Sequence, residues 1–250
     1  MKSAEHAGKW NAWRAYYATY ENVFRTMLRY VYQCNVEDLR PHVEALDFAT
    51  ALESGRRFVA SGGVERVDTI LRGCMHALHA ADAFNVYLLV GLGHTQGMAL
   101  PADPPYIYLG LEACHGTEGL DTLLAHEYNH LVRGAVVHRG SEALVLRLND
   151  WVIAEGLATV FSLVYLGLDP TASRLVSTLP ALPQDALSKV EEMETELRSR
   201  WGCEMTQELV KRYVATPWPT SSVVCGSLGY SSRATTFAIS LACQPIRSPT

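Results

Sequence analysis

No stretch of the 250-residue sequence holds eighteen consecutive apolar residues free of charge, so no membrane-spanning helix is expected. Residues 1–10 carry Lys2, Glu5, His6 and Lys9 with no apolar block behind them, which predicts no secretory signal. Basic charge is also scarce. With 21 Lys and Arg against 26 Asp and Glu, the net charge of −5 offers no general attraction to nucleic acid or to an anionic membrane surface. The six cysteines (Cys34, Cys74, Cys114, Cys203, Cys225 and Cys243) form no C-x-x-C pair and are too scattered for a disulfide framework. They read as reduced thiols and predict a cytoplasmic location. Gly91, Gly93 and Gly97 are wrongly spaced for a phosphate cradle, and no Gly-Lys-Ser/Thr follows them. No segment repeats at a solenoid period.

What remains is a well-packed globular chain. Apolar residues make up 48% and charged residues 19%, which excludes disorder and suits one large domain or two small ones.

The chemistry is concentrated in Leu123-Leu124-Ala125-His126-Glu127-Tyr128-Asn129-His130-Leu131-Val132. Residues four apart on an α-helix lie one above the other, so the imidazoles of His126 and His130 can converge on one metal ion. Glu127 lies about 100° round the same helix. There it flanks the metal without binding it, in the place of a general base acting on a metal-activated water. Thr117, Glu118 and Asp121 are candidate caps for this helix, and Gly134 is its expected C-terminal stop.

Catalytic zinc takes three protein ligands and keeps a fourth position open. Glu155, in Asp150-Trp151-Val152-Ile153-Ala154-Glu155-Gly156-Leu157-Ala158, is the expected third ligand. It stands in an apolar helical stretch, about 141–166, where an unpaired carboxylate is costly to bury. His138 competes with it. Eight residues beyond His130 is about 12 Å along a continuous helix, so His138 would need a turn at Gly134 to return to the ion. Asp150 and Thr159, four to five residues either side of Glu155, are candidates for orienting the ligands.

The pair His126-Glu127-Tyr128-Asn129-His130 and Asp150 to Ala158 resembles the YjaZ-type predicted zinc-dependent proteases, whose members read H-E-Y-x-H and then D-x-x-I-x-E-G-L-A. The resemblance covers roughly residues 106–213. It implies a gluzincin-like site with one Zn2+ on His126, His130 and Glu155 and with Glu127 as base. Tyr230, in Gly229-Tyr230 after Pro217-Trp218-Pro219, would be the transition-state tyrosine if the family uses one there. The Ser/Thr-rich tail around it departs from the family's ending.

Elsewhere, helices are expected over 7–33, 36–53 and 64–81, and strands over 84–91 and 106–111. His94, in the loop after the first strand, is a candidate electrophile beside the metal. Tyr106, Ile107, Tyr108 and Leu109 are the candidate edge strand for aligning an extended peptide by main-chain hydrogen bonds, and the same residues suit an interior strand equally. An acidic helix follows within 185–200 and a last one within 206–215. The expected fold is a helix-dominated, zincin-like α+β arrangement with a small sheet and the H-E-x-x-H helix packed against the Glu155 helix. The expected division is an N-terminal helical region (1–82), a catalytic core (83–168), a C-terminal helical region (169–216) and an irregular tail (217–250).

The function expected is a zinc metallopeptidase acting on peptide or protein substrates. The alternatives are a zinc-binding but catalytically silent protein acting through a partner, and a metal-free helical module.

Overall fold

Trp13 and Phe24 would lie about 16 Å apart along a straight helix, yet their rings meet with centroids 6.1 Å apart. The computed structural model, which describes residues 2–32, 34–79, 83–93, 95–114, 117, 119–137, 147–168, 190–204, 206 and 209, shows how. The single helix expected over 7–33 is two helices, α1 (Lys2–Thr19) and α2 (Glu21–Met27), broken at Tyr20 and closed by a π-turn at Leu28–Tyr32. Breaking the axis brings Tyr16 and Tyr17 within 5.5 and 5.9 Å of Phe24. The aromatic stripe therefore closes on itself as a core, which a continuous helix could not do.

The next expected helix also divides. A 3-10 turn at Val36–Leu39 leads into α3 (Arg40–Ala45), and Leu46 is extended. Asp47 then caps α4 (Phe48–Ala60), its Oδ1 accepting from the backbone N–H groups of Ala49 and Thr50. A further helix, α5, spans Gly63–Leu78.

Three strands form one sheet: β1 (Asn85–Leu89), β2 (Gly97–Leu100) and β3 (Tyr106–Gly110), in the order β1-β3-β2. β1 runs parallel to β3 and β2 antiparallel to it. This corrects the expectation that Tyr106–Leu109 is an edge strand for substrate. β3 is the middle strand; its main-chain groups are taken on both sides, and none of Tyr106, Ile107, Tyr108 or Leu109 exceeds 3% exposure. The sequence had offered no signal for β2, which is four residues long.

The chain divides into two interleaved units, one containing the described residues of Met1–Gly63 and Asp82–Gly116, the other those of Val64–Ala81 and Thr117–Pro217. The first holds α1–α4 and the sheet around a core of Trp10, Trp13, Phe24, Met27, Leu39, Val43, Leu100, Tyr106 and Tyr108. Its loop after β1 is tied to a 3-10 turn at Leu111–Ala113: the Glu112 carboxylate accepts from Gly91 N–H at 2.7 Å and Gly93 N–H at 2.9 Å. Burial raises the Glu112 pKa despite those two bonds.

The second unit contains α5, then α6 (Leu120–Val137), α7 (Leu148–Tyr165) and a helix at Val190–Ser199. Arg66 of α5 grips Asp121 of α6 with a two-pronged ion pair. The Tyr165 hydroxyl donates to the Ile70 carbonyl at 3.4 Å, and Gly73 leaves room for its ring. The first N–H groups of α7 have no side-chain cap. They donate instead to backbone carbonyls, Leu148 to Cys203 at 3.0 Å and Asn149 to Trp201 at 3.1 Å. Leu148, Val152, Leu197 and Leu209 pack beneath that cap. No described helix is long and apolar enough to cross a membrane. The fold is thus a helix-dominated α+β arrangement with one small sheet, as expected of a zincin-like chain.

Candidate metal centre

α6 runs past Gly134 to Val137, so the expected stop at Gly134 is not used. Its buried face carries Leu120, Leu124, Ala125, Tyr128 and Leu131, a spacing of three and four that fixes the helix against its neighbours. His126 and His130 lie at the border of that face, with about a fifth of each side chain exposed. They are packed enough to be held and open enough to be reached.

α7 buries the stripe Leu148, Val152, Glu155, Thr159 and Ser162, which places Glu155 at the middle of the α6–α7 contact. The rest of α7 is less enclosed than its apolar sequence suggests: Ile153, Leu157 and Val164 are exposed. Glu155 faces both histidines. Its Oε2 is 3.3 Å from His126 Nε2 and its Oε1 3.3 Å from His130 Nε2, while the two Nε2 atoms are 2.9 Å apart.

One ligand atom from each of the three residues lies within 4.8 Å of the others, close enough to surround one metal ion. Bonds of about 2.0–2.1 Å directed to the corners of a tetrahedron separate the ligand atoms by about 3.3 Å, the distance from each imidazole to its nearer Glu155 oxygen, while the two nitrogens at 2.9 Å part by a few tenths of an ångström to take an ion. The donor set of two imidazole nitrogens and a carboxylate oxygen also suits zinc chemically. Among the described residues, His126, His130 and Glu155 form the one group of His, Cys, Asp and Glu placed to hold a metal.

The electrostatics agree. Burial opposes ionisation of Glu155, but the facing imidazoles of His130 and His126 outweigh it and hold the carboxyl well below its ordinary range. Burial likewise opposes protonation of His130, and the Glu155 carboxylate overturns that, raising its pKa. A carboxylate kept ionised between two imidazoles is the charge pattern a divalent cation needs.

Glu127 is buried beside the cluster on α6, and its charge is felt at the His130 ring. Asp150 lies in the first turn of α7, five residues before Glu155. Thr159, one turn beyond Glu155, is buried, and its hydroxyl has no hydrogen-bond partner among the described residues. His94, His138 and Tyr230 lie outside the described residues. Sequence reasoning passed over Arg133, which follows His130 by three residues on α6 and whose charge also reaches the His130 ring. Its signal was that helical spacing from both histidines.

No curated protein and no solved structure matches the chain. A family profile described as predicted Zn-dependent protease (DUF2268) matches residues 65–193, a span of just over half the chain that takes in α5, the sheet, α6 and α7. With the H-E-x-x-H helix and Glu155 both inside that span, the chain belongs to this family of predicted Zn-dependent proteases.

Proposed function

We propose that the chain is a zinc-dependent metallopeptidase of the gluzincin type, and the observation that carries this is the convergence of His126, His130 and Glu155, with one ligand atom from each within 4.8 Å of the others. His126 and His130 present Nε2 to the ion, and Glu155 supplies the third ligand and neutralises charge. Bound there, one zinc would supply Lewis acidity, lowering the pKa of a water and polarising a peptide carbonyl. Glu127, next to the first histidine, takes the proton from the attacking water and returns it to the leaving amide nitrogen. Thr159 is the better supported of the two orienting candidates, because its buried hydroxyl is left to bridge through a water to a ligand. Asp150 sits at the N-terminus of α7, where a carboxylate is also favoured by the helix dipole.

A cytoplasmic location follows from the same reading of the cysteines. Cys34, Cys74, Cys114 and Cys203 are free thiols, consistent with a reducing compartment.

The test is Glu127→Gln. Zinc content measured by elemental analysis should stay at one ion per chain, while cleavage of an unbiased peptide library falls by about a hundredfold or more. Zinc binding in the wild type without cleavage of any peptide would overturn the peptidase reading in favour of a silent zinc protein acting through a partner.

A further inference from the structure

Arg133 follows His126 by seven residues and His130 by three, so it returns to the same face of α6. Helical side chains lean toward the helix N-terminus, His130 and Arg133 alike, so the two heads keep about the spacing of their backbones along the axis, and the Arg133 charge is felt at the His130 ring.

Most described helical arginines have an acid within reach. Arg25, Arg40, Arg56 and Arg72 each meet a carboxylate three or four residues away on their own helix. Arg14 and Arg66 reach one further off. The equivalent positions around Arg133 are Asn129, His130, Val136 and Val137, none of them acidic. Arg133 is partly buried and makes no ion pair or side-chain hydrogen bond among the described residues. A partly buried arginine without an acidic partner among the described residues, beside a solvent-reachable site, calls for an anion, and its planar fork matches a carboxylate in two-pronged fashion.

The position sets which carboxylate. The rise from His130 to Arg133 is about 4.5 Å, and one extended residue spans about 3.3–3.6 Å. An anion on the fork is therefore about one residue from a carbonyl placed at the histidine cluster.

We propose that Arg133 binds the C-terminal carboxylate of a peptide substrate and makes the chain an exopeptidase that removes the last residue. This rests on the metallopeptidase reading above. The oxygen of the attacking water bonds to the carbonyl carbon of the final peptide bond and the C–N bond breaks. The proton held by Glu127 passes to the leaving nitrogen. The products are the shortened peptide, ending in a new carboxylate, and a free amino acid whose own carboxylate is still on Arg133.

The two readings are separated by measuring binding apart from turnover. The zinc-loaded Glu127→Gln chain is titrated with an N-acetylated pentapeptide ending in a free carboxylate and with the same peptide as its C-terminal amide. The carboxylate form should bind about tenfold or more tightly, as for hydrogen bonds to a charged partner. Adding Arg133→Met should bring the two peptides to near-equal affinity, whereas Arg133→Lys should keep part of the preference. Zinc content and circular dichroism serve as checks that each variant is folded. Equal binding of the two peptides by the Glu127→Gln chain would overturn the proposal. In turnover, the wild type should release single C-terminal amino acids from the carboxylate peptide. Internal cleavage of both forms at one rate would also overturn the proposal, yet leave the metallopeptidase reading standing. A carboxylate preference in binding, with no cleavage by the wild type, would support the Arg133 site while removing the peptidase reading.

Discussion

His126 Nε2 and His130 Nε2 face each other across 2.9 Å, with one oxygen of Glu155 3.3 Å from each. Two imidazoles so close can share only one proton between their facing nitrogens, and a single cation among the three groups gives both nitrogens and a carboxylate oxygen a common partner. Glu155→Ala should therefore lower zinc affinity by more than about a hundredfold, beyond the effect usual for an outer-shell change. Competition with a chromophoric chelator measures it, and unchanged affinity would remove Glu155 from the ligand set.

Stabilisation by zinc should grow with pH, because protons compete with the ion for the imidazoles. In the metal-free chain the two groups act oppositely. Glu155 is lowered from 4.5, so its contribution is present above that pH and lost as pH falls through the folded value. His130 is raised from 6.5, so its contribution is present below that pH and lost as pH rises through the folded value. The metal-free pair is thus strongest between the two, and the gap in melting temperature between zinc-loaded and chelator-treated protein should be wider at pH 8 than at pH 5.5. A gap that narrows with pH would contradict proton competition at this site.

Glu112→Ala should destabilise the chain by about 1–3 kcal/mol, because the N–H groups of Gly91 and Gly93 both lose their acceptor. The Glu112 pKa is raised by burial, so its stabilisation is fullest below its ordinary value of 4.5 and shrinks as pH rises through the folded value. The deficit of the variant, measured by urea denaturation, should be larger at pH 4 than at pH 7.

Two glycines at helical positions should respond oppositely to alanine. A Cβ at Gly134, within α6, meets nothing within 4 Å, so Gly134→Ala should stabilise by about 0.5–1 kcal/mol. A Cβ at Gly63 would press on the ring and carbonyl of the fully buried Phe58, so Gly63→Ala should cost about 1–3 kcal/mol. Thermal melts of the two variants give the signs directly.

The sequence by itself determined the chemistry and its local geometry. The i, i+4 spacing of His126 and His130, with Glu127 between them, is a property of one helix, and helix periodicity is legible wherever apolar residues mark the buried face. The apolar setting of Glu155 made it a candidate ligand for the same local reason. Tertiary structure decided what no local period encodes. Whether a carboxylate 25 residues downstream comes within 3.3 Å of both rings depends on how α6 packs on α7. The strand at Tyr106–Gly110 looked the same from sequence whether edge or centre; the pairing of β2 along its free side made it central. The break at Tyr20 was invisible because aromatic spacing continues through it, and only burial of Phe24 against Trp13, Tyr16 and Tyr17 requires the bend. Arg133 could be placed on the ligand face by counting residues, but its lack of an ion pair among the described residues emerged only once every neighbouring side chain had a position. Side-chain periodicity is set by the backbone of one element, whereas partners are set by burial between elements distant in sequence.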